Sequence, residues 1–307
     1  MRSAEEKAFV ILACNVLRLV MAILQTHRET FMLLERARVY VEAGRLLYEQ
    51  AQGGQRLSWN VPSATTSVLV LGQGSSITSD AARLLAQDQV GVLLSGSDGV
   101  PVFLASLSDY RPTDRFQAWM ARWPDPAWRL SAAKVLQRRR VAHLQTRWRA
   151  PRPDVSEALD RFAGGIESAP SVESLMGHEA TLAKALYRAM SLHTGVAWEG
   201  RRGGADPTPI EKRLDQGNYL AYGLAAMVLW TIGLVPSLPV SHGAGRAGGL
   251  VFDLADVVKD AFVLPKAFEE IGRPVAAYRQ SVAREFQMAG LFADLVSVLD
   301  EAACAPF

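Results

Sequence analysis

The spacing of the apolar residues changes once along this chain, and no single type of secondary structure accommodates both textures. Over residues 30–106 they fall in short runs broken by Gly, Ser and Asp. Phe31-Met-Leu-Leu, Arg38-Val-Tyr-Val and Arg45-Leu-Leu-Tyr, with Gly44 at a turn, read as strands. Val68-Leu-Val-Leu, Val90-Gly-Val-Leu-Leu and Val100-Pro-Val-Phe-Leu continue the pattern, and a short helix near residues 80–87 interrupts it. After Asp109-Tyr-Arg-Pro the period turns helical. Thr113 is placed to cap a helix through Phe116 and Trp119 that Pro124 stops. Further helices are expected over residues 127–149, 156–162, 172–191, 218–232, 254–261 and beyond, and 275–302. Residues 195–217 hold five glycines, two prolines and eight charges and read as a mobile loop. The expected class is α+β: a β-rich domain over residues 1–106, a linker at 107–112, and a larger all-helical domain over 113–307. Residues 1–24 read either as an extra N-terminal helix or as an upstream start, with Met21 the alternative first residue.

Composition narrows the functional classes. With 49% hydrophobic residues in 307, the chain buries a real core, and a net charge of +2 announces no bulk field for nucleic acid or membrane. Cys14 and Cys304 stand at opposite ends and form neither a disulfide framework nor a metal knuckle. Residues 8–24 are broken by Asn15 and Arg18, and residues 219–235 fall short of the ~20 needed to span a bilayer. A soluble, cytoplasmic protein without a membrane partner is expected.

Chemistry concentrates in the helical part. In Gly249-Leu-Val-Phe-Asp-Leu-Ala-Asp-Val-Val-Lys-Asp, helical spacing puts Asp253, Asp256 and Asp260 on one face. Two readings fit. Either Asp253 caps the helix and the others complement its dipole, or the mutually repelling carboxylates await a cation. His242 lies eleven residues before Asp253 in a glycine-rich turn and is a candidate ligand. One imidazole with oxygen donors suits Mg²⁺ or Mn²⁺. Glu179 lies near the apolar stripe of Leu175, Leu182, Leu186 and Met190, where it either pairs with Lys184 or Arg188 or serves as a ligand. His178 is its competitor, about 100° away around the helix. Between Ser131 and Arg152, seven cations stand without an acid: Lys134, Arg138, Arg139, Arg140, Arg147, Arg149 and Arg152. They form either a solvated face or a phosphate-contacting one, which Arg201, Arg202, Lys212, Arg213 and Arg246 would extend. Val70-Leu-Gly-Gln-Gly-Ser-Ser-Ile lacks the third glycine of a dinucleotide loop and reads as a turn.

Taken in order, Leu175-Met-Gly-His-Glu-Ala, Asn218-Tyr-Leu-Ala-Tyr-Gly, Ser241-His-Gly and Gly248-Gly-Leu-Val-Phe-Asp-Leu-Ala-Asp resemble the CRISPR-associated Cas-one integrases, most closely subtype I-F. Trp59-Asn-Val-Pro, Leu71-Gly-Gln-Gly-Ser-Ser-Ile-Thr and Tyr110-Arg-Pro-Thr add to the likeness, which runs from about Ile23 to the end of the chain. Where many members have Gly and Arg after the glutamate, this sequence has Ala180 and Lys184. The resemblance implies Glu179, His242 and Asp256 as ligands of Mg²⁺ or Mn²⁺, with Asp253 an auxiliary catalytic acid. It implies a homodimer through the β-rich domains and a cationic surface on double-stranded DNA made by Arg138, Arg139, Arg140, Arg147, Arg149, Arg201, Arg202, Lys212, Arg213 and Arg246. The partner implied is the small Cas-two subunit, fused in this subtype to the Cas-three helicase-nuclease. The activity implied is integration of a 3′-OH protospacer into the repeat array, with associated DNA endonuclease activity. The alternatives are a purely hydrolytic branched-DNA nuclease and a non-enzymatic DNA-binding scaffold.

Overall fold

The computed structural model describes residues 28, 30–95, 102–104, 112–201, 207–243 and 247–306. Residues 1–24, nearly all of the expected linker, Arg202 and Arg246 lie outside the described residues. The strands are β1 (Thr30–Leu34), β2 (Ala37–Glu42), β3 (Arg45–Gln52), β4 (Gln55–Asn60), β5 (Thr66–Leu71), β6 (Ser76–Ile77), β7 (Gly91–Leu94) and β8 (Val102–Leu104), with α1 (Ser79–Gln87) between β6 and β7. One sheet runs β1-β5-β7-β8, the first three strands parallel and β8 antiparallel; the other runs β4-β3-β2-β6. Two hairpins build the second sheet. Each closes on two residues with positive φ, Ala43-Gly44 and Gly53-Gly54. That backbone matches the right-handed twist of the strands it joins. The sequence reading missed β4 because it is nearly all exposed and mostly polar, so no apolar alternation marks it. Its Trp59 stacks on Tyr48 across the hairpin at 5.3 Å.

The helices follow: α2 (Asp114–Arg122), α3 (Pro126–Arg147), α4 (Ser156–Ser168), α5 (Val172–Thr194), α6 (Pro209–Ile232), α7 (Gly249–Val258), a π-helical turn (Lys259–Val263), α8 (Leu264–Glu269), α9 (Val275–Met288) and α10 (Leu291–Ala303). The expected α+β class, a β-rich region followed by a helical one, is what the chain adopts. Two of the expected helices take a different course. Helix α6 starts nine residues earlier than expected, because Thr208 and Glu211 form a reciprocal cap with Pro209 in the first turn. Lys212 and Arg213 are therefore helical rather than part of a loop. The expected helix over 275–302 breaks at Gly290, whose φ of 61° only an achiral residue adopts cheaply. Among the described residues, no helix is long and apolar enough to cross a membrane. The apolar stretch from residue 219 lies inside α6 and is buried in the core.

Strand alternation divides the core in two. Phe31, Leu33, Val68, Val70 and Leu93 point to one side and join the core of the helices. Leu34, Leu69, Leu71 and Val92 point to the other and pack with α1 and the second sheet. A parallel sheet covered on both faces needs such continuous apolar strands. The joint is tight, since a Cβ added at Gly223 of α6 would lie 2.2 Å from Leu93 Cδ2. Gln280 of α9 donates to the Leu33 carbonyl at 3.0 Å, and Arg279 pairs with Glu35 at 3.2 Å. Truncating the side chain at this joint, Leu93→Ala, is expected to cost about 2–5 kcal/mol in urea unfolding followed by circular dichroism. A loss below ~1 kcal/mol would show that the helices do not lean on the sheet.

Candidate active site

Three segments of the helical region meet beneath the turn at residues 239–243. Gly249 opens α7, and a Cβ there would lie 2.8 Å from Pro239 Cβ, so the bare backbone lets the turn settle on the helix. Asp253, 3% exposed, then gathers the turn. Its Oδ2 accepts the backbone N–H groups of Val240 at 2.6 Å and Ser241 at 3.2 Å, and its Oδ1 accepts that of His242 at 2.9 Å. The same Oδ1 lies 2.7 Å from His242 Nδ1. A carboxylate only accepts, so Nδ1 carries a hydrogen and donates it to Asp253, which leaves Nε2 as the nitrogen turned away from that acid. That nitrogen faces Asp256, 3.9 Å from its Oδ2. A ligating histidine is oriented in the same way, by a carboxylate on its far nitrogen. The expectation that Asp253 caps the helix does not hold: Gly248 occupies the cap position, and Asp253 holds the loop instead.

Asp256 and Asp260, each 3% exposed, lie one and two turns further on. Lys259, three residues after Asp256, pairs with its Oδ1. Burial alone would raise the pKa of Asp256. The charges of Lys259, Arg140 and His242 outweigh that and hold it below the usual carboxylate range. Asp260 lies in the π turn, and the Trp148 indole donates to its carbonyl at 3.1 Å.

Glu179 reaches the cluster from α5, on the buried stripe with Leu175, Leu182, Leu186 and Met190. Neither Lys184 nor Arg188 holds it. Arg140 of α3 does, with Nη1 2.7 Å from Oε1, while the other arm of the guanidinium binds Asp260. Glu179 Oε2 is left buried without a hydrogen-bond partner. His178 points elsewhere, packing on Gly165 of α4. The structure thus brings His242, Asp253 and Asp256 into direct contact and links Glu179 to the acids through Arg140. Among the described residues, no three His, Cys, Asp or Glu side chains form a ready-made ion cage, and Arg140 and Lys259 take acid oxygens instead. The donor types nonetheless suit a hard divalent ion, an imidazole Nε2 and carboxylate oxygens of which one is unpartnered.

The basic run on α3 has partners that local sequence could not reveal. Arg138 forks onto Glu167 at 2.7 and 2.8 Å, and Arg139 binds Asp294 and, at 2.5 Å, Glu301. Arg147 pairs with Glu285, and Arg152 forks onto Glu269 at 2.6 and 3.1 Å. Arg140 is 1% exposed and Arg213, 7% exposed, donates to the carbonyls of Ile271 and Arg273. A surface meeting DNA therefore loses these two residues. Arg149 and Lys212 are exposed, and Arg201 is exposed beside Asp215. What the sequence reading missed is the pair of internal cations. Lys259 was signalled by its spacing from Asp256; Arg140 was not, because Asp260 lies 120 residues away.

Asp253→Asn would point an amide donor at the donors of the turn. We expect it to cost about 2–4 kcal/mol in chemical denaturation and to mix the His242 tautomers in ¹⁵N NMR. A variant with wild-type stability and a single tautomer would remove Asp253 from this role.

Comparison with known proteins gives these residues a family. The sequence matches the profile of "CRISPR associated protein Cas1" over residues 31–273. It is 37% identical over 314 residues to the CRISPR-associated endonuclease Cas1 of Pectobacterium atrosepticum, covering 91% of this chain and 95% of that one. The CRISPR-associated endonuclease Cas1 of Pseudomonas aeruginosa is also 37% identical, over 294 residues and 88% of each chain. Among solved structures, a TtCas1-DNA complex superposes with a TM-score of 0.67 at 26% identity, covering 91% of this chain and 93% of that one. A Cas6-RT-Cas1–Cas2 complex shares the fold at TM-score 0.64 and 13% identity, over 90% of this chain and 35% of that one. The chain, with its acid-and-imidazole cluster between α5 and α7, belongs to the CRISPR-associated Cas1 family.

Proposed function

We propose that this protein joins the free 3′-OH of a duplex DNA fragment to a phosphodiester of a CRISPR repeat array, with DNA endonuclease activity as the hydrolytic counterpart. The observation that carries the reading is the pairing within the site: Glu179 with Arg140, His242 with Asp253, Asp256 with Lys259. Each proposed ligand has a dedicated partner that fixes its orientation before any substrate arrives. Glu179, His242 and Asp256 would hold Mg²⁺ or Mn²⁺, which when bound supplies Lewis acidity to the phosphodiester and acidity to the attacking hydroxyl. Asp253 keeps the His242 Nε2 lone pair turned inward. Arg140 and Lys259 lower the repulsion among acids that would otherwise resist sharing one small volume. No side-chain nucleophile is assigned, and the new phosphodiester forms as the old one breaks.

Membership of a family whose relatives are named endonucleases supports this reading, as does the DNA-bound state of the TtCas1 structure. Arg149, Arg201 and Lys212, with Arg202, Arg246 and the paired Arg138, Arg139 and Arg147, would approach the duplex. The Cas1–Cas2 assembly among the fold neighbours supports a Cas2 partner. Fusion of that partner to the Cas3 helicase-nuclease and a homodimer through the β-rich regions are proposed from the resemblance in sequence alone.

Asp256→Ala is expected to reduce strand transfer of a 3′-OH oligonucleotide into a repeat-bearing plasmid by ~10²-fold or more in Mn²⁺, with duplex affinity within about twofold of wild type. Equal loss of both would sink the ligand assignment. A second reading, a DNA-binding scaffold with an inert acid cluster, draws on the protein cations already seated on Glu179, Asp256 and Asp260. It is upheld if the wild-type chain yields no joined product and Mn²⁺ leaves its thermal midpoint unmoved. Separately, replacing Arg149, Arg201 or Lys212 by Ala should flatten the salt dependence of duplex binding by about one ion per residue. An unchanged slope would discard that surface.

A further inference from the structure

We infer that Arg140 stands in for a second divalent ion, so that the acid cluster takes one metal ion rather than two. The inference rests on the reading of Glu179, His242 and Asp256 as the donors of a single ion. Four acids are buried together here: Glu179 is 9% exposed, and Asp253, Asp256 and Asp260 are 3% each. Enzymes that cut or join phosphodiesters with paired ions place them ~3.5–4 Å apart on shared carboxylates, and four acids are enough for such a pair. Asp253 is spoken for by three backbone N–H groups and the His242 ring. Asp260 is the acid left over, with no role in the one-ion set.

Asp260 is where Arg140 binds. Nη2 pairs with Asp260 Oδ2 while Nη1 lies 2.7 Å from Glu179 Oε1. One planar cation therefore bridges the two carboxylates that a second ion would bridge. Gln137, one helical turn earlier on α3, accepts from Nη1 at 3.2 Å and fixes the fork. Arg140 is 1% exposed and cannot exchange with solvent. Its guanidinium keeps its charge at any pH the fold survives. It differs from a metal ion in two ways that matter: it brings one positive charge instead of two, and it has no open position for water or a phosphate oxygen. It neutralises Asp260 and leaves Glu179 Oε2, which has no hydrogen-bond partner, for the single ion. Arg140 is thus a positioning residue that sets the number of ions.

The test is Mn²⁺ stoichiometry on the full chain, by calorimetric titration and by the electron paramagnetic resonance signal of unbound Mn²⁺. Wild type should bind one ion per chain. Arg140→Met should bind two, and the second should vanish in the double variant Arg140→Met with Asp260→Asn. Arg140→Lys keeps the charge but cannot bridge both acids. It should show a weak second site and a larger Mn²⁺-induced rise in thermal midpoint than wild type. This variant decides the matter if Arg140→Met does not fold without metal. One ion in wild type and one in both Arg140 variants overturns the inference and leaves the ligand assignment standing, as would two ions in wild type. No ion in wild type removes the ligand assignment and this inference with it.

Discussion

A guanidinium buried between two carboxylates sets the character of this protein's helical region. Arg140 is fully charged, almost entirely withdrawn from water, and fixed by Glu179 from α5 and Asp260 from the π turn after α7. Taking any of these charges out of water alone costs several kcal/mol, so none is tolerable in this core without the others. Burial works against the charge of Arg140, and the acids Asp260, Glu179 and Asp256 more than restore it, raising its pKa. Three elements distant in sequence, α3, α5 and the π turn, are thereby held in one arrangement. The positive charge between them is what lets Glu179 and Asp260 stand close together in the core.

In the rest of the site the buried carboxylate of Asp253 is likewise met by donors. Asp253 satisfies three backbone amides in a row, and this pins a turn that would otherwise wander. The His242 ring is oriented as a by-product of the same carboxylate. Gly249 makes the approach possible by having no side chain where Pro239 must sit. The sheet contributes at one remove. Its inward-facing Phe31, Leu33, Val68, Val70 and Leu93 form part of the helical core, and α6 and α9 lean on them.

Much of this was legible in the residues. The strand-rich beginning, the helical remainder, the burial of Glu179 on the stripe of α5 and the shared face of the aspartates all follow from period and spacing. The hidden features were of two kinds. β4 and the first turns of α6 carry polar sequence, so hydrophobic period is silent there, although Gly53-Gly54 and the pairing of Thr208 with Glu211 marked them locally. The fate of the basic run was hidden more deeply. Its cations looked unpaired because their acids lie 29 to 162 residues away.

By itself, then, the sequence determined what is local: which stretches are strand or helix, which faces are apolar, and which acids and imidazole are present to do chemistry. Period and capping act over a few residues, and a linear reading sees that far. Only the tertiary structure decided which cation meets which acid. It turned Arg140 from a supposed DNA contact into an internal counter-ion and gave Asp253 a loop to hold rather than a helix to cap. Electrostatic pairing depends on distance in space, and in a buried site with little water to screen it, a partner far along the chain counts for as much as a neighbour.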